Sequence, residues 1–215
     1  ITTEWLVDDG QDVTPGDTLL MAYGPAQSLL TCERIMLNFV QLLSGTASIA
    51  RLYVEAISGT NAMILDTRKT VPGLRTAQKY AVAVAGAKNH RMGLFDAYLI
   101  KENHIAAVGG IAESIYAARK QNPHIKIEIE VETIPQLLEA FEAGVDMVLL
   151  DNFSMKELRE AVSLNKGNVP LEASGGITRE NVTEIAQTGV DYISIGEITK
   201  NIKPMDLSMR FEPSK

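Results

Sequence analysis

The sequence holds one cysteine, Cys32, and three histidines among 215 residues. A lone cysteine excludes an internal disulfide and a cysteine-based metal site, and it fits a reducing compartment, so the cytoplasm is expected. His90, His104 and His124 share no ligand spacing and make no metal motif. Positive charge is scarce as well: the net charge is −7 and the isoelectric point about 5.1. An acidic chain does not offer a broad footprint for nucleic acid, so any anionic ligand must be met by a local cluster of cations. No apolar run approaches about 20 residues without a charged or polar break, and no basic segment followed by an apolar stretch opens the chain, so neither a membrane partner nor a nucleic-acid partner is expected.

Lysine is missing altogether before Lys69, and residues 1–65 carry seven acids against Arg34 and Arg51. That absence disposes of one reading of DGQDVTPGDTLL, whose turn pattern is similar to that of lipoyl and biotinyl carrier domains. Such carriers need a lysine at a hairpin tip. The chain also opens at Ile1 directly on strand-like sequence, and residues upstream are expected to have been removed.

Apolar residues make up 46% of the chain, enough for a substantial core. Short apolar runs separated by DG, PG and GP turns predict a β-rich remainder of a small domain over residues 1–33. Helical spacing of Ile35, Phe39, Leu42, Leu43, Ile49, Leu52 and Val54 predicts linking helices over 34–61, two of them or one broken at Gly45. From residue 62 to 215, MILDT, AYLIKEN, IKIEIEVE, MVLLDN, PLEASGG and YISIGE alternate with helix-length stretches, among them Thr76–Asn89 and Arg179–Gln187. Such alternation predicts an α/β fold: an incomplete or open α/β barrel of parallel βα units, preceded by part of a small α/β N-terminal domain.

In such barrels the functional residues sit at the carboxyl ends of the strands. Those ends supply Asp66–Lys69, Lys101–Asn103, Glu130, Asp151 with Asn152, Ser174–Gly176 and Gly196. Arg68, Lys69, Arg91 and Lys101 would converge on one rim, where they suit a ligand with more than one carboxylate or phosphate. Glu130 and Asp151 suit Mg²⁺ with few protein ligands, or a ribose diol, and Glu128 shares the strand face of Glu130 as a competing candidate. The glycines of SGGI and SIGE, on the last two strands, could offer backbone N–H groups to a phosphate. His104 is expected only to organise the ENH turn, Asp66 to fix a strand-end turn, and Arg75 to face solvent or a partner. No nucleophile is evident.

Taken together, GPAQSLLTCERIMLNFVQLLSGTA, DTRKTVPGLR, QKYAV, NHRMGL, LIKENH, EIEVE, LLDNF, EASGGI and TGVDYISIG resemble the quinolinate phosphoribosyltransferase family, the type II phosphoribosyltransferases of NAD synthesis, across essentially the whole chain. The resemblance implies conversion of quinolinate and phosphoribosyl pyrophosphate to nicotinate mononucleotide, pyrophosphate and CO₂, with Mg²⁺ as cofactor. It implies a homodimer whose small domain covers the partner's barrel mouth, with Arg34 donated across the interface. Arg68, His90, Arg91 and Lys101, with Thr67, correspond to quinolinate-binding residues, and Lys69 lies between the two substrates. Glu130 and Asp151 fall on the acids facing the ribose and Mg²⁺, through water or directly, and are expected with Lys69 to be catalytic. Ser174, Gly175, Gly176 and Gly196 correspond to the loops for the 5′-phosphate. Glu197 departs from the pattern, because a carboxylate there repels a phosphate unless it points away. Family members carry some tens of residues before the position of Ile1, so a non-catalytic truncated chain is one alternative. Nicotinate phosphoribosyltransferase of the same fold group is the other, and the number of rim cations favours the dicarboxylate.

Overall fold

The structure, a computed structural model, describes residues 1–165 and 167–212, so the last three residues of the 62–215 span lie outside it. Strands β1 (Thr2–Trp5) and β2 (Leu20–Tyr23) form an antiparallel pair, and α1 (Ala26–Ala56) leads from it into the larger unit. There follow β3 (Met63–Leu65), α2 (Arg75–Val84), β4 (Tyr98–Ile100), α3 (Glu102–Val108), α4 (Ile111–Gln121) and β5 (Ile127–Val131). The chain then continues through α5 (Ile134–Glu142), β6 (Met147–Asp151), α6 (Met155–Asn165), β7 (Leu171–Ser174), α7 (Val182–Ala186), β8 (Tyr192–Ser194) and α8 (Glu197–Lys200).

All six expected strands of the repeating unit are present and form one parallel sheet in the order β3-β8-β7-β6-β5-β4. The sheet is an open barrel, with β3 and β4 as its edges. The edge of β3 is partly covered, since Lys88 N donates to Ile64 O at 2.8 Å and Asp66 N donates to Lys88 O at 3.2 Å. This corrects the helix expected over Thr76–Asn89. It stops at Val84, Gly86 turns the chain at φ +93°, and the next residues run extended beside β3.

Alternation along the strands sorts the side chains. Ile127, Ile129, Val131, Leu171 and Ala173 belong to the core between sheet and helices, so Glu128, Glu130, Glu172 and Ser174 face the barrel interior. The apolar core lies outside the barrel and a polar lining lies within.

Helix α1 is one continuous element of 31 residues that runs through positions 33 and 34, and it is not broken at Gly45. Gly45 is instead a point of close approach: a Cβ there would lie 2.3 Å from Lys203 O and 3.1 Å from Pro204 Cα. The C-terminal segment crosses α1 at this point, held by Met205 N to Gln41 O at 3.0 Å and Gln41 Nε2 to Leu207 O at 3.2 Å. By length and composition α1 could cross a membrane, but it carries Glu33, Arg34, Arg51 and Glu55 and packs Ala50 and Tyr53 into the core. Leu30, Ile35 and Phe39, near its start, are exposed.

Gly45→Ala is expected to cost about 1–3 kcal/mol through overpacking against residues 203–204. Urea denaturation measures the loss, and a protein truncated before Lys203 should lose that sensitivity to the methyl group.

Candidate active site

The parallel sheet brings the six strand ends to one face, and the register fixes which side chains meet there. Ile100 pairs with Ile129, so the next residues, Lys101 and Glu130, stand side by side and form an ion pair. Burial raises the Glu130 carboxyl above its ordinary range against the pull of Lys101, and Asp151 adds to the rise. The two expected Mg²⁺ acids are therefore within electrostatic reach of each other. Asp151 is level with Ser174 of β7 and accepts from Asn152 Nδ2 at 2.8 Å. Among the described residues Asn152 is the one non-glycine with positive φ, at 56°, and its N–H donates to Ser174 O at 2.9 Å. A Cβ at Gly175 would lie 2.1 Å from Asn152 Oδ1, so the Ser-Gly-Gly turn is shaped around Asn152.

The cations gather opposite the acids. Arg91 Nη1 donates to Ala97 O at 3.0 Å, and burial, followed by the neighbouring Arg68 guanidinium, holds Arg91 below the usual guanidinium range. The two cations are thus within electrostatic reach of each other, as their common rim predicts. Lys69 lies over the glycine that ends β8: a Cβ on Gly196 would be 3.2 Å from Lys69 Cδ and 3.9 Å from Thr67 Oγ1. Thr199 Oγ1 donates to Lys69 O at 2.8 Å, and Lys69 N donates to Thr67 Oγ1 at 3.0 Å, so the Thr67–Lys69 loop is tied to α8.

Arg75 does not face solvent or a partner as expected. Its guanidinium donates to Thr70 Oγ1, Met92 O and Arg68 O at 3.1, 3.1 and 3.2 Å, and it clamps the two cationic loops together. Asp66 is buried and paired with Lys79, which is 1% exposed, and it also accepts from Asn89 Nδ2 at 2.7 Å and His90 N at 2.9 Å. Burial raises the Asp66 carboxyl despite these donors. Lys79 Nζ also donates to His90 O at 2.8 Å, so one buried pair pins both ends of the His90 peptide unit.

Both ring nitrogens of His90 are engaged within the chain. Nε2 lies 2.9 Å from Glu128 Oε2 and 3.4 Å from Glu172 Oε2, and Nδ1 accepts from Arg91 N at 2.7 Å. The sequence alone does not single out Glu172, since only the fold sets it on the same interior face as Glu128, with one strand between them. His104 behaves as expected: its Nδ1 accepts from Lys101 N at 3.0 Å and caps α3. Glu197 points away from the mouth, with its Oε2 accepting from Tyr53 OH of α1 at 2.5 Å, which answers the repulsion expected from its position. Gly196 caps α8 directly, whereas five residues separate Gly176 from α7, so the Ser-Gly-Gly turn can offer its own N–H groups but not a helix start. Arg34 is exposed on α1, and nothing brings it to the mouth of its own chain.

Residues 46–210 match the family described as "Quinolinate phosphoribosyl transferase, C-terminal domain", and residues 1–44 match the corresponding N-terminal domain. The chain belongs to the quinolinate phosphoribosyltransferase family. It is 45% identical over 202 residues to a probable nicotinate-nucleotide pyrophosphorylase [carboxylating] of Bacillus subtilis, covering 94% of this chain and 70% of that one. It is 43% identical over 206 residues to the nicotinate-nucleotide pyrophosphorylase [carboxylating] of Mycobacterium leprae, covering 94% and 72%. The solved nicotinate-nucleotide pyrophosphorylase of Francisella tularensis superposes with a TM-score of 0.94 at 49% identity, covering 96% of this chain and 74% of that one. At the amino ends of the strands, opposite the mouth, a groove of about 640 Å³ beside Ala62 and Met63 contains none of the site residues expected in this family.

Lys79→Met should cost about 3–5 kcal/mol, because Asp66 is left as a buried charge without its cation. In urea denaturation the double variant Asp66→Asn/Lys79→Met is expected to be more stable than Lys79→Met alone.

Proposed function

We propose that the cation-lined mouth is where this enzyme, a quinolinate phosphoribosyltransferase, joins quinolinate to phosphoribosyl pyrophosphate and releases nicotinate mononucleotide, pyrophosphate and CO₂. The observation that carries the assignment is the clamping by Arg75 of the loops that bear Arg68 and Arg91, through Arg68 O and Met92 O, which keeps the two guanidiniums within electrostatic reach of each other. Holding like charges together costs free energy that a dianion repays. Arg68 and Arg91, with Thr67 and Lys101, hold the two pyridine carboxylates, and His90, whose ring nitrogens are both engaged within the chain, contributes by holding Arg91. Lys69, above Gly196, serves both substrates, and the backbone of Ser174, Gly175, Gly176 and Gly196 takes the 5′-phosphate.

Positioning and charge explain the reaction without a nucleophile. As pyrophosphate leaves, C1 of the ribose becomes oxocarbenium-like, and Glu130 and Asp151 face that developing positive charge and the ribose hydroxyls. Once the pyridine nitrogen is ribosylated, the ring accepts the electron pair left at C2 when the adjacent carboxylate departs as CO₂. The cations must hold the ring while that bond breaks. Glu130 and Asp151 also fit Mg²⁺: two carboxylates close enough to repel are a hard-oxygen set with room for water and phosphate ligands. A Mg²⁺ ion held by these two acids would neutralise charge on the departing pyrophosphate.

A homodimer belongs to the same proposal. Exposed Ile35 and Phe39, one turn apart on α1, supply an apolar strip near Arg34, which has no role at its own mouth and is free to complete a partner's. A cytoplasmic setting is supported by Cys32, which is free and exposed.

Calorimetric titration with quinolinate should show at least a tenfold weaker affinity for Arg68→Ala, on the order of 1.5–3 kcal/mol for a lost charge-assisted contact. Unchanged binding would sink the site assignment, and absence of CO₂ release from quinolinate would favour a monocarboxylate substrate. Mixing Arg34→Ala with Arg68→Ala should restore activity in roughly a quarter of the sites, because each mixed dimer rebuilds one intact mouth. No recovery after subunit exchange would overturn the shared site.

A further inference from the structure

Below the mouth, three groups of the barrel interior meet. Glu128 of β5 and Glu172 of β7 flank β6 and converge on His90, which reaches in from the segment after α2. Glu172 is fully buried and Glu128 is 5% exposed. Glu128 Oε1 and both Glu172 oxygens have no hydrogen-bond partner. β6 and β8 place Leu149 and Tyr192 level with Glu172, so no cation of the sheet neutralises it. The charged groups around the cluster are His90 itself, Arg91 with Arg68 beyond it, and the Asp66–Lys79 pair behind the His90 peptide.

We propose that Glu128 and Glu172 are positioning residues of the anion pocket: as one buried acid pair they hold His90 from inside the barrel and, through its Nδ1, the Arg91 main chain, so that Arg91 stays at the rim within reach of Arg68. The inference rests on the assignment of the mouth to quinolinate. His90 is fixed on two sides, its peptide by Asp66 and Lys79 and its ring by the acid pair, and Arg91 follows it directly in the chain.

The ring proton of the cluster follows from its bonds. Arg91 N–H can donate only to an unprotonated Nδ1, so His90 carries its ring proton on Nε2, toward the acids; burial opposes a second proton, which the acids by themselves favour. The ring is thus oriented from both ends, and losing an acid contact loosens the Arg91 main chain.

The test is steady-state kinetics of the full chain, with KM for each substrate and kcat measured separately. Glu128→Ala and Glu172→Ala, which loosen the His90 ring, should each raise KM for quinolinate roughly tenfold with KM for phosphoribosyl pyrophosphate little changed, and Gln at the same position, which keeps the shape, should rescue it. Ala variants with an unchanged KM for quinolinate, or with both KM values raised alike, would overturn the proposal. So would a divalent cation found by elemental analysis in the substrate-free enzyme and lost in Glu172→Gln, since the three groups lie close enough to hold one. If Arg68→Ala leaves quinolinate binding unchanged, the mouth assignment itself fails. If Arg68→Ala weakens binding but the Ala variants at Glu128 and Glu172 keep the KM for quinolinate, only the acid-pair inference fails.

Discussion

Everything at the mouth depends on the parallel pairing of six short strands. Strands that run one way end on one face, and the residue after each buried run must then be polar or glycine, because the backbone leaves the sheet there. Register does the finer work. Ile100 opposite Ile129 puts Lys101 beside Glu130, and Asp151 opposite Ser174 sets an acid beside the Ser-Gly-Gly turn. A slip of one residue would send Glu128, Glu130 and Glu172 toward the helices and the apolar core into the barrel.

Charge is balanced in two tiers. At the rim, Arg68 and Arg91 lie within electrostatic reach of each other, beside the Lys101–Glu130 pair. One layer down the excess is reversed, with two carboxylates around one histidine. Arg75 and Lys79 belong to neither tier. They hold the loops in place, Arg75 by donating to three groups of the cationic loops and Lys79 by pairing with Asp66 behind the strand.

Much of this was legible in the sequence because its signals are local. Each of the six strands is an apolar run ended by a polar residue, and the rim residues Arg68, Lys69, Lys101, Glu130 and Asp151 follow from listing strand ends. What escaped depends on distant contacts. Gly45 reads as a helix interruption until Lys203 is seen against it. Arg75 reads as a surface residue until Met92 O is found within its reach. Glu172 reads as part of a strand, and only barrel curvature brings it to His90, more than eighty positions away in sequence. Gly86 was the one local signal passed over, a breaker that ends α2 five residues before Arg91.

The pairing of Met63 with Tyr192 carries a consequence for synthesis. β3 is the first strand of the barrel to emerge from the ribosome and β8 the last, yet they are neighbours in the finished sheet. The Asp66–Lys79 pair spans only 13 positions and can form early, tying β3 to its own helix. The paired edge of β3 must still wait, unprotected, for nearly the whole chain to be made. A late-closing seam of this kind concentrates the risk of misassembly in one short strand next to the substrate-binding loop.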